Sequence, residues 1–216
     1  MRGGLLTCLL PALLTLKATA QPAPGLPPAA SASRFFTTTG GSLAFPVSML
    51  RQVTQWGRGT TVNLEYRINS RLSVAGAWDA NILPVQSSRL AADLDPTLKR
   101  SISQLKGEYQ TNALGVYGIW YGKQRALRPY LTGGLGLTSI TVPRLLYEPN
   151  SQLVSLGSTT RLSIFGAGGV GLNWQFSTPV AAFGEASVYV VPASSPVVSG
   201  ANNYVTLKAG LRFPLF

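Results

Sequence analysis

One stretch decides the fold of this chain: Val205-Thr206-Leu207-Lys208-Ala209-Gly210-Leu211-Arg212-Phe213-Pro214-Leu215-Phe216. Its odd-numbered positions as far as Leu215 are apolar, whereas Thr206, Lys208 and Arg212 lie between them. Successive side chains of a β-strand point to opposite faces. The stretch is therefore predicted to be a strand with one apolar face and one charged face.

Similar alternating segments recur along the chain, joined by connections that are alternately short and long. Barrels that cross a membrane have short turns on one side and longer loops on the other. The pattern predicts an all-β fold, an eight-stranded antiparallel up-and-down transmembrane β-barrel. The predicted strands are residues 41–47, 60–68, 71–82, 110–121, 129–140, 161–176, 180–191 and 203–215.

The two faces of these segments differ in polarity. In the second segment Val62, Leu64 and Tyr66 share one face, and Asn63 and Glu65 share the other. A Lys or Arg that faces mid-bilayer lipid costs about 2–4 kcal/mol, and the apolar faces carry neither. A soluble β-sandwich or lipocalin-like barrel also alternates, but its exposed face is expected to be rich in Lys and Glu. The polar face here is mostly Gly, Ala, Ser and Thr, which favours the membrane barrel.

The N-terminal region is predicted to be a leader followed by a linker. Residues 1–20 are predicted to be a signal peptide, because a basic start precedes an apolar stretch and the small residues Ala18-Thr19-Ala20. Residues 21–37 are rich in Pro, Ala and Ser and are predicted to be a disordered linker. The barrel domain is then residues 38–216. The single cysteine, Cys8, lies in the leader, so closure of the barrel rather than a disulfide is expected to hold the fold together.

The polar faces carry charged residues that are expected to lie in the lumen. If the last hairpin is near symmetric, Glu185 faces Lys208 across the last two strands. Charges in a narrow lumen are tolerated only when they are paired and hydrogen-bonded, which favours a structural network over a proton or ion path. The predicted lumen network is Glu65, Arg67, Asp79, Glu185, Lys208 and Arg212.

Large aromatic residues cluster near the predicted strand ends. Amphipathic rings favour the level of the lipid head groups, so an aromatic girdle is predicted rather than a stacking site for a ligand. The predicted girdle is Tyr66, Trp78, Trp120, Tyr121, Trp174, Phe176 and Phe213.

The segment Gly166-Ala167-Gly168-Gly169-Val170-Gly171 matches the G-x-G-x-x-G pattern of dinucleotide sites. That pattern needs a following helix whose N-terminus meets the pyrophosphate, whereas residues 172–176 continue the strand alternation. The glycines are instead expected to leave room on the inner wall for Phe165 and Tyr130. We predict no cofactor and no catalytic residue. We also predict no metal site, since Asp93 and Asp95 lack the further ligands that calcium needs.

The chain is basic, with 18 Lys and Arg against 7 Asp and Glu. No module of interleaved basic and aromatic residues indicates nucleic-acid binding. Arg and Lys bind phosphate well, so the expected partner is the phosphate-bearing lipopolysaccharide and other outer-membrane lipid. The basic residues of three predicted external loops and their margins are Arg51, Arg58, Arg89, Lys99, Arg100, Arg144 and Arg161.

The chain resembles the small outer-membrane barrels of Gram-negative bacteria, the OmpA/OmpX/OmpW-like group. The features that carry the resemblance are the leader, the eight strands, the tight turns and the segment Tyr204 to Phe213. The resemblance covers residues 38–216. It implies a monomer in the cell outer membrane, reached by export through the periplasm. It also implies that the last strand is the signal read by the barrel-assembly machinery, with Leu211, Phe213 and Phe216 as its residues. Phe216 departs from the pattern because it is out of phase with Phe213 and Leu215.

The expected function is non-enzymatic: external loops that serve surface contact, adhesion or envelope integrity. The alternative is a narrow passage or binding barrel for small or apolar solutes. An envelope lipid-modifying enzyme is the less favoured hypothesis. The barrel enzymes of this group use a histidine as general base, as a serine nucleophile requires, and this chain has no histidine.

Overall fold

The computed structural model describes residues 33–47, 50–85, 108–123, 125–148, 153–176, 179–192 and 201–215. The chain divides into two units, Met1–Ala30 and Ser31–Phe216, and every described residue lies in the second. The predicted signal peptide, most of the predicted linker, Arg89, Asp93, Asp95, Lys99, Arg100 and Phe216 lie outside the described residues.

The described residues form a closed barrel of eight strands. Each strand pairs antiparallel with its neighbour in sequence, and the last strand pairs with the first. This confirms the predicted eight-stranded antiparallel fold. The elements are β1 (Phe35–Pro46), α1 (Leu50–Val53), β2 (Gly57–Arg67), β3 (Leu72–Pro84), β4 (Glu108–Tyr121), β5 (Leu127–Glu148), β6 (Leu153–Gln175), β7 (Ala181–Val190) and β8 (Tyr204–Pro214).

Short connections join β2 to β3, β4 to β5 and β6 to β7, and we call this side of the barrel the turn end and the opposite side the loop end. Among the described segments no helix is long and apolar enough to cross a membrane. The first strand begins earlier than predicted: residues 35–37, which we assigned to the linker, belong to β1, where Phe35 pairs with Tyr66.

The hairpin of β5 and β6 is longer than predicted. These strands have 22 and 23 residues, whereas the pairing of β4 with β5 stops at Thr141 and that of β7 with β6 stops at Gly166. Residues 142–148 therefore pair only with residues 153–159. At about 3.3 Å per residue, the hairpin extends roughly 20 Å past its neighbours at the loop end. The predicted strands 129–140 and 161–176 left residues 141–160 as a loop, and the observed hairpin corrects that prediction.

The apolar faces of the strands point outward, and the charged residues point into the lumen. Leu135, in the middle of the wall, is 72% exposed, whereas Lys208 and Arg212 are 6% and 7% exposed. A closed ladder leaves no unpaired edge within the ring of strands, which is the condition for a β-structure to lie in lipid. The predicted assignment of sides is confirmed.

Aromatic rings fill the lumen in the space that inward glycines leave. A Cβ atom on Gly136 would lie 2.8 Å from the Phe165 ring, and one on Gly171 would overlap the Tyr130 ring. The predicted relation of Gly171 to Tyr130 is therefore present, whereas Gly169 makes room for Ser187 instead. Packing at the loop end of the lumen is completed by buried residues that include Leu50, Leu83, Tyr109, Tyr117, Val142, Tyr189 and Tyr204.

Candidate functional site

A lysine shared by two carboxylates occupies the middle of the lumen. Lys208 on β8 lies directly opposite Glu185 on β7, which is the predicted register. Its Nζ atom lies 2.9 Å from Oδ1 of Asp79 on β3 and 3.5 Å from Oε1 of Glu185. The closure of the barrel brings β3 and β8 together across the lumen, so three strands contribute to one buried ion-pair cluster, which we call the central cluster.

Hydroxyl groups complete the central cluster. Tyr189 donates a hydrogen bond to Oδ2 of Asp79 at 2.6 Å and accepts one from Lys208 Nζ at 2.8 Å. The Tyr130 hydroxyl donates to Oε2 of Glu185 at 3.0 Å, and Ser187 donates to Oε1 at 2.5 Å. Each carboxylate is thus held both by the lysine and by neutral donors, as buried charges require.

A second ion pair lies in the lumen near the turn end. Two nitrogens of the Arg212 guanidinium, Nε and Nη2, each lie 3.0 Å from one oxygen of Glu65. The Tyr121 hydroxyl donates a further hydrogen bond to Glu65 at 3.0 Å. The guanidinium also lies 3.8 Å from the centroid of the Phe36 ring. This bidentate geometry is the strong form of an arginine–carboxylate pair.

Arg67 belongs to the same layer but has no carboxylate partner among the described residues. Its guanidinium lies 4.2 Å from the centroid of the Phe36 ring, and its buried Nε atom lacks a hydrogen-bond partner there. Five members of the predicted network therefore form ion pairs, and Arg67 stacks instead. Its neighbours at the turn end include Glu65 and Arg212.

Arg128, a residue that the sequence pattern did not single out, lies on the inner side at the start of β5. Its Nε atom donates to the carbonyl of Gly122 at 3.2 Å, and Nη2 donates to the carbonyl of Ser70. The guanidinium lies 4.4 Å from the centroid of the Tyr121 ring. We had assigned Arg128 to the turn, although alternation back from Tyr130 would have given its side.

The outward aromatic residues form a belt at the turn end, but two predicted members do not belong to it. Tyr121 points into the lumen and is 3% exposed, because its neighbour Trp120 points outward and adjacent strand residues face opposite sides. Trp78 points outward but lies at the centre of the 13-residue strand β3. The predicted members that belong to the belt are Tyr66, Trp120, Trp174 and Phe213 near the ends of their strands and Phe176 directly after β6; Phe35 at the start of β1 joins them beside Tyr66.

The predicted assembly signal lies on β8 where that strand closes the barrel. Leu211 pairs with Thr39 and Phe213 pairs with Thr37 of β1. Leu211 is exposed on the apolar face. Its role as a signal stays a prediction, and Phe216 lies outside the described residues.

The structure also has a groove of about 620 Å³ on the outer wall of the barrel. Its floor includes the small residues Gly184 and Ala186 of β7, and its sides include Leu131, Leu172 and Leu207. In the described part of the chain, no three or more His, Cys, Asp or Glu side chains form a group that could hold a metal ion.

No protein-family model matches the sequence, and neither does any curated protein. Solved structures do match it. Neisserial surface protein A is 17% identical, with a TM-score of 0.57 over 85% of this chain and 98% of that one. The chain has the fold of the small eight-stranded outer-membrane β-barrels. Two further structures agree: a major outer membrane protein from Thermus thermophilus is 10% identical, with a TM-score of 0.55 over 83% of this chain and 98% of that one. Outer membrane protein OprG from Pseudomonas aeruginosa is 11% identical, with a TM-score of 0.50 over 84% of this chain and 95% of that one.

Proposed function

We propose that this protein is a non-enzymatic barrel of the outer membrane that acts through its loop-end surface, in surface contact and envelope integrity. The loop end contacts the phosphate groups of lipopolysaccharide. The observation that carries the proposal is a lumen filled by rings and ion pairs, which leaves the outside of the barrel as the working surface. Export through the periplasm, insertion by the barrel-assembly machinery and a monomeric state belong to the same proposal.

The contents of the lumen support a closed barrel over a passage for solutes. The interior of an eight-stranded barrel is only wide enough for side chains to fill it. Here the central cluster and the Glu65–Arg212 pair cross the lumen at two levels. The ring of Tyr189, whose hydroxyl belongs to the central cluster, stacks on the ring of Tyr204 with their centroids 4.8 Å apart.

The loop end supports contact with phosphate-bearing lipid. Arg58 is exposed on the outer face of β2, and it pairs in register with Leu43 and Ile82, which are exposed to the same side. This location puts a guanidinium at the rim of the apolar wall, where lipid phosphates lie. Arg161 is also exposed, on β6 beyond the end of β7, but it pairs with the buried Ile140 and so lies on the inner side of that strand. Arginine binds phosphate through paired hydrogen bonds, so Arg58 suits the outer leaflet and Arg161 suits the rim of the mouth at the loop end.

The lumen also supports the assignment as a protein without enzymatic activity. The chain has no histidine. Among the described residues, the serine that comes nearest to a catalytic constellation is Ser187, which donates to Glu185 close to Lys208. Ser187 is only 3% exposed, so a lipid or peptide substrate cannot reach its hydroxyl group without opening the barrel.

Two measurements on the refolded full chain test the proposal. In planar bilayers we expect no sustained open currents, and sustained currents would overturn the closed-barrel assignment. In binding assays we expect lipopolysaccharide to bind more tightly than dephosphorylated lipopolysaccharide. The double variant R58Q/R161Q should lose that preference, while R71Q/R125Q, which removes the same charge from the turn end, should keep it. Equal binding of the two lipopolysaccharides by the wild type would contradict the contact.

A further inference from the structure

The turn end of the barrel carries a large excess of positive charge. The short connections and the strand ends beside them contribute seven basic side chains among the described residues, whereas Glu65 is the acidic one there. The central cluster lies deeper and is occupied by its own partners. The basic residues are Arg67, Arg128 and Arg212 on the inner side and Arg34, Arg71, Lys123 and Arg125 around them.

A single carboxylate, that of Glu65, lies near the three inner arginines among the described residues. Arg212 takes both oxygens of Glu65. Arg67 and Arg128 both lie near Glu65 and Arg212, so each adds a positive charge to a site already neutralised. Like charges in a partly buried site repel one another strongly because the local dielectric is low. The layer is therefore short of negative charge.

Aromatic rings hold these guanidiniums in place. Arg67 and Arg212 lie 4.2 Å and 3.8 Å from the centroid of the Phe36 ring, and Arg128 lies 4.4 Å from that of Tyr121. Stacking on a ring fixes the plane of a guanidinium without using the N–H groups along its edge. Arg128 already donates from Nε and Nη2 to the carbonyls of Gly122 and Ser70, which leaves its Nη1 group for an anion. Arg67 retains an unsatisfied buried Nε among the described residues. The donors are thus ordered before an anion arrives.

We propose that this mouth of the barrel is an anion site that binds a phosphate group, with Arg67 and Arg128 as its principal ligands. A phosphate supplies the oxygen acceptors that two guanidiniums can share, and it restores the missing negative charge. The mouth opens at the level of the aromatic belt, where head groups lie. The phosphate can be that of an anionic phospholipid of the inner leaflet or a soluble phosphate of the periplasm, and the test separates these two sources.

The test uses the full chain folded in a maltoside detergent, which contains no phosphate. Thermal unfolding is followed by tryptophan fluorescence while inorganic phosphate or dihexanoylphosphatidylglycerol is added at constant ionic strength. A ligand that binds only the folded state raises the melting temperature with its concentration. We expect such a shift for the wild type and at least about tenfold weaker binding for R67Q/R128Q, because each lost charge-assisted contact weakens binding several-fold. The control R71Q/R125Q removes the same charge from exposed turns of the same end, leaves the two principal ligands in place and should bind like the wild type.

The outcomes separate the hypotheses. A shift with the phospholipid alone assigns the site to a head group, and an equal shift with inorganic phosphate assigns it to a soluble anion. No shift with either probe, or an equal shift in wild type and R67Q/R128Q, would overturn the proposal. If R67Q/R128Q does not fold, the single variants R67Q and R128Q are measured instead, and unchanged binding by both would count equally against the proposal.

Discussion

Replacement of Lys208 by methionine tests whether buried ion pairs hold the barrel together. Methionine keeps most of the length of the lysine stem, so the change removes the charge with little change in volume. Lys208 lies 2.9 Å from Asp79 and 3.5 Å from Glu185. At an effective dielectric constant near 20, such attractions amount to about 5–6 kcal/mol each before desolvation is counted.

The expected loss is smaller than this sum, because burying the lysine also had a cost. Loss of one partner from a buried ion pair typically costs about 3–5 kcal/mol, since a charge stays buried without compensation. The side chains left behind are 2% exposed for Asp79 and 11% for Glu185. Tyr189, Tyr130 and Ser187 still donate to them, so we expect the lower part of that range.

Denaturant unfolding of the barrel in lipid vesicles measures this loss, with the melting temperature as a second readout. The control K123M removes a lysine from the exposed turn between β4 and β5 and should change the free energy of unfolding by less than about 0.5 kcal/mol. In a double-mutant cycle with D79N, the two changes should couple by about 0.5–3 kcal/mol. A K208M barrel as stable as the wild type, or more stable, would refute the pairing.

Four further substitutions test the packing, the sides of the wall and the second ion pair. G134A should lower the free energy of unfolding by about 1–3 kcal/mol because the new methyl group meets the Tyr117 ring. A Cβ on Gly133 meets nothing within 4 Å, so the control G133A should be neutral or slightly stabilising. Equal effects of the two substitutions would contradict this account of the packing. L135R should cost about 2–4 kcal/mol in vesicles, because the new charge faces lipid, and a neutral result would place this face in water. R212M should destabilise the barrel by about 3–5 kcal/mol because Glu65 then lacks its cation. An unfolding titration that shows no loss of stability would mean that this ion pair does not stabilise the barrel.

The number of strands, the face of the barrel on which side chains lie and one ion pair could be predicted because each follows from the pattern of neighbouring residues in the sequence. Alternation in residues 205–215 gives the sides of β8, and a near-symmetric hairpin gives the pairing of Glu185 with Lys208. The contact of Lys208 with Asp79 has no such signal, since β3 and β8 are not neighbours in the sheet. It depends on how side chains meet across the closed lumen.

The assignment of Tyr121 to the outer girdle was wrong for a physical reason. In β4 both faces are apolar, since Tyr117, Ile119 and Tyr121 alternate with Val116 and Trp120, so polarity does not show which face points into the lumen. Strict alternation would nevertheless have excluded Trp120 and Tyr121 from the same girdle.

The extension of β5 and β6 was missed for another reason. Prolines normally end strands, but the two strands stay paired with each other past Pro143, which pairs with Ser158. Pairing within a hairpin outweighs the local preference there.

The account depends most on the claim that the apolar face meets lipid, and single-tryptophan variants in vesicles test this directly. Each variant keeps one of the four tryptophans and has the others replaced by phenylalanine. With lipids brominated at different depths, Trp78 should be quenched most by bromine near the middle of the acyl chains, and Trp120 and Trp174 by bromine near the head groups. Quenching of Trp78 by aqueous iodide, with no response to brominated lipid, would contradict the assignment of sides and the membrane barrel with it.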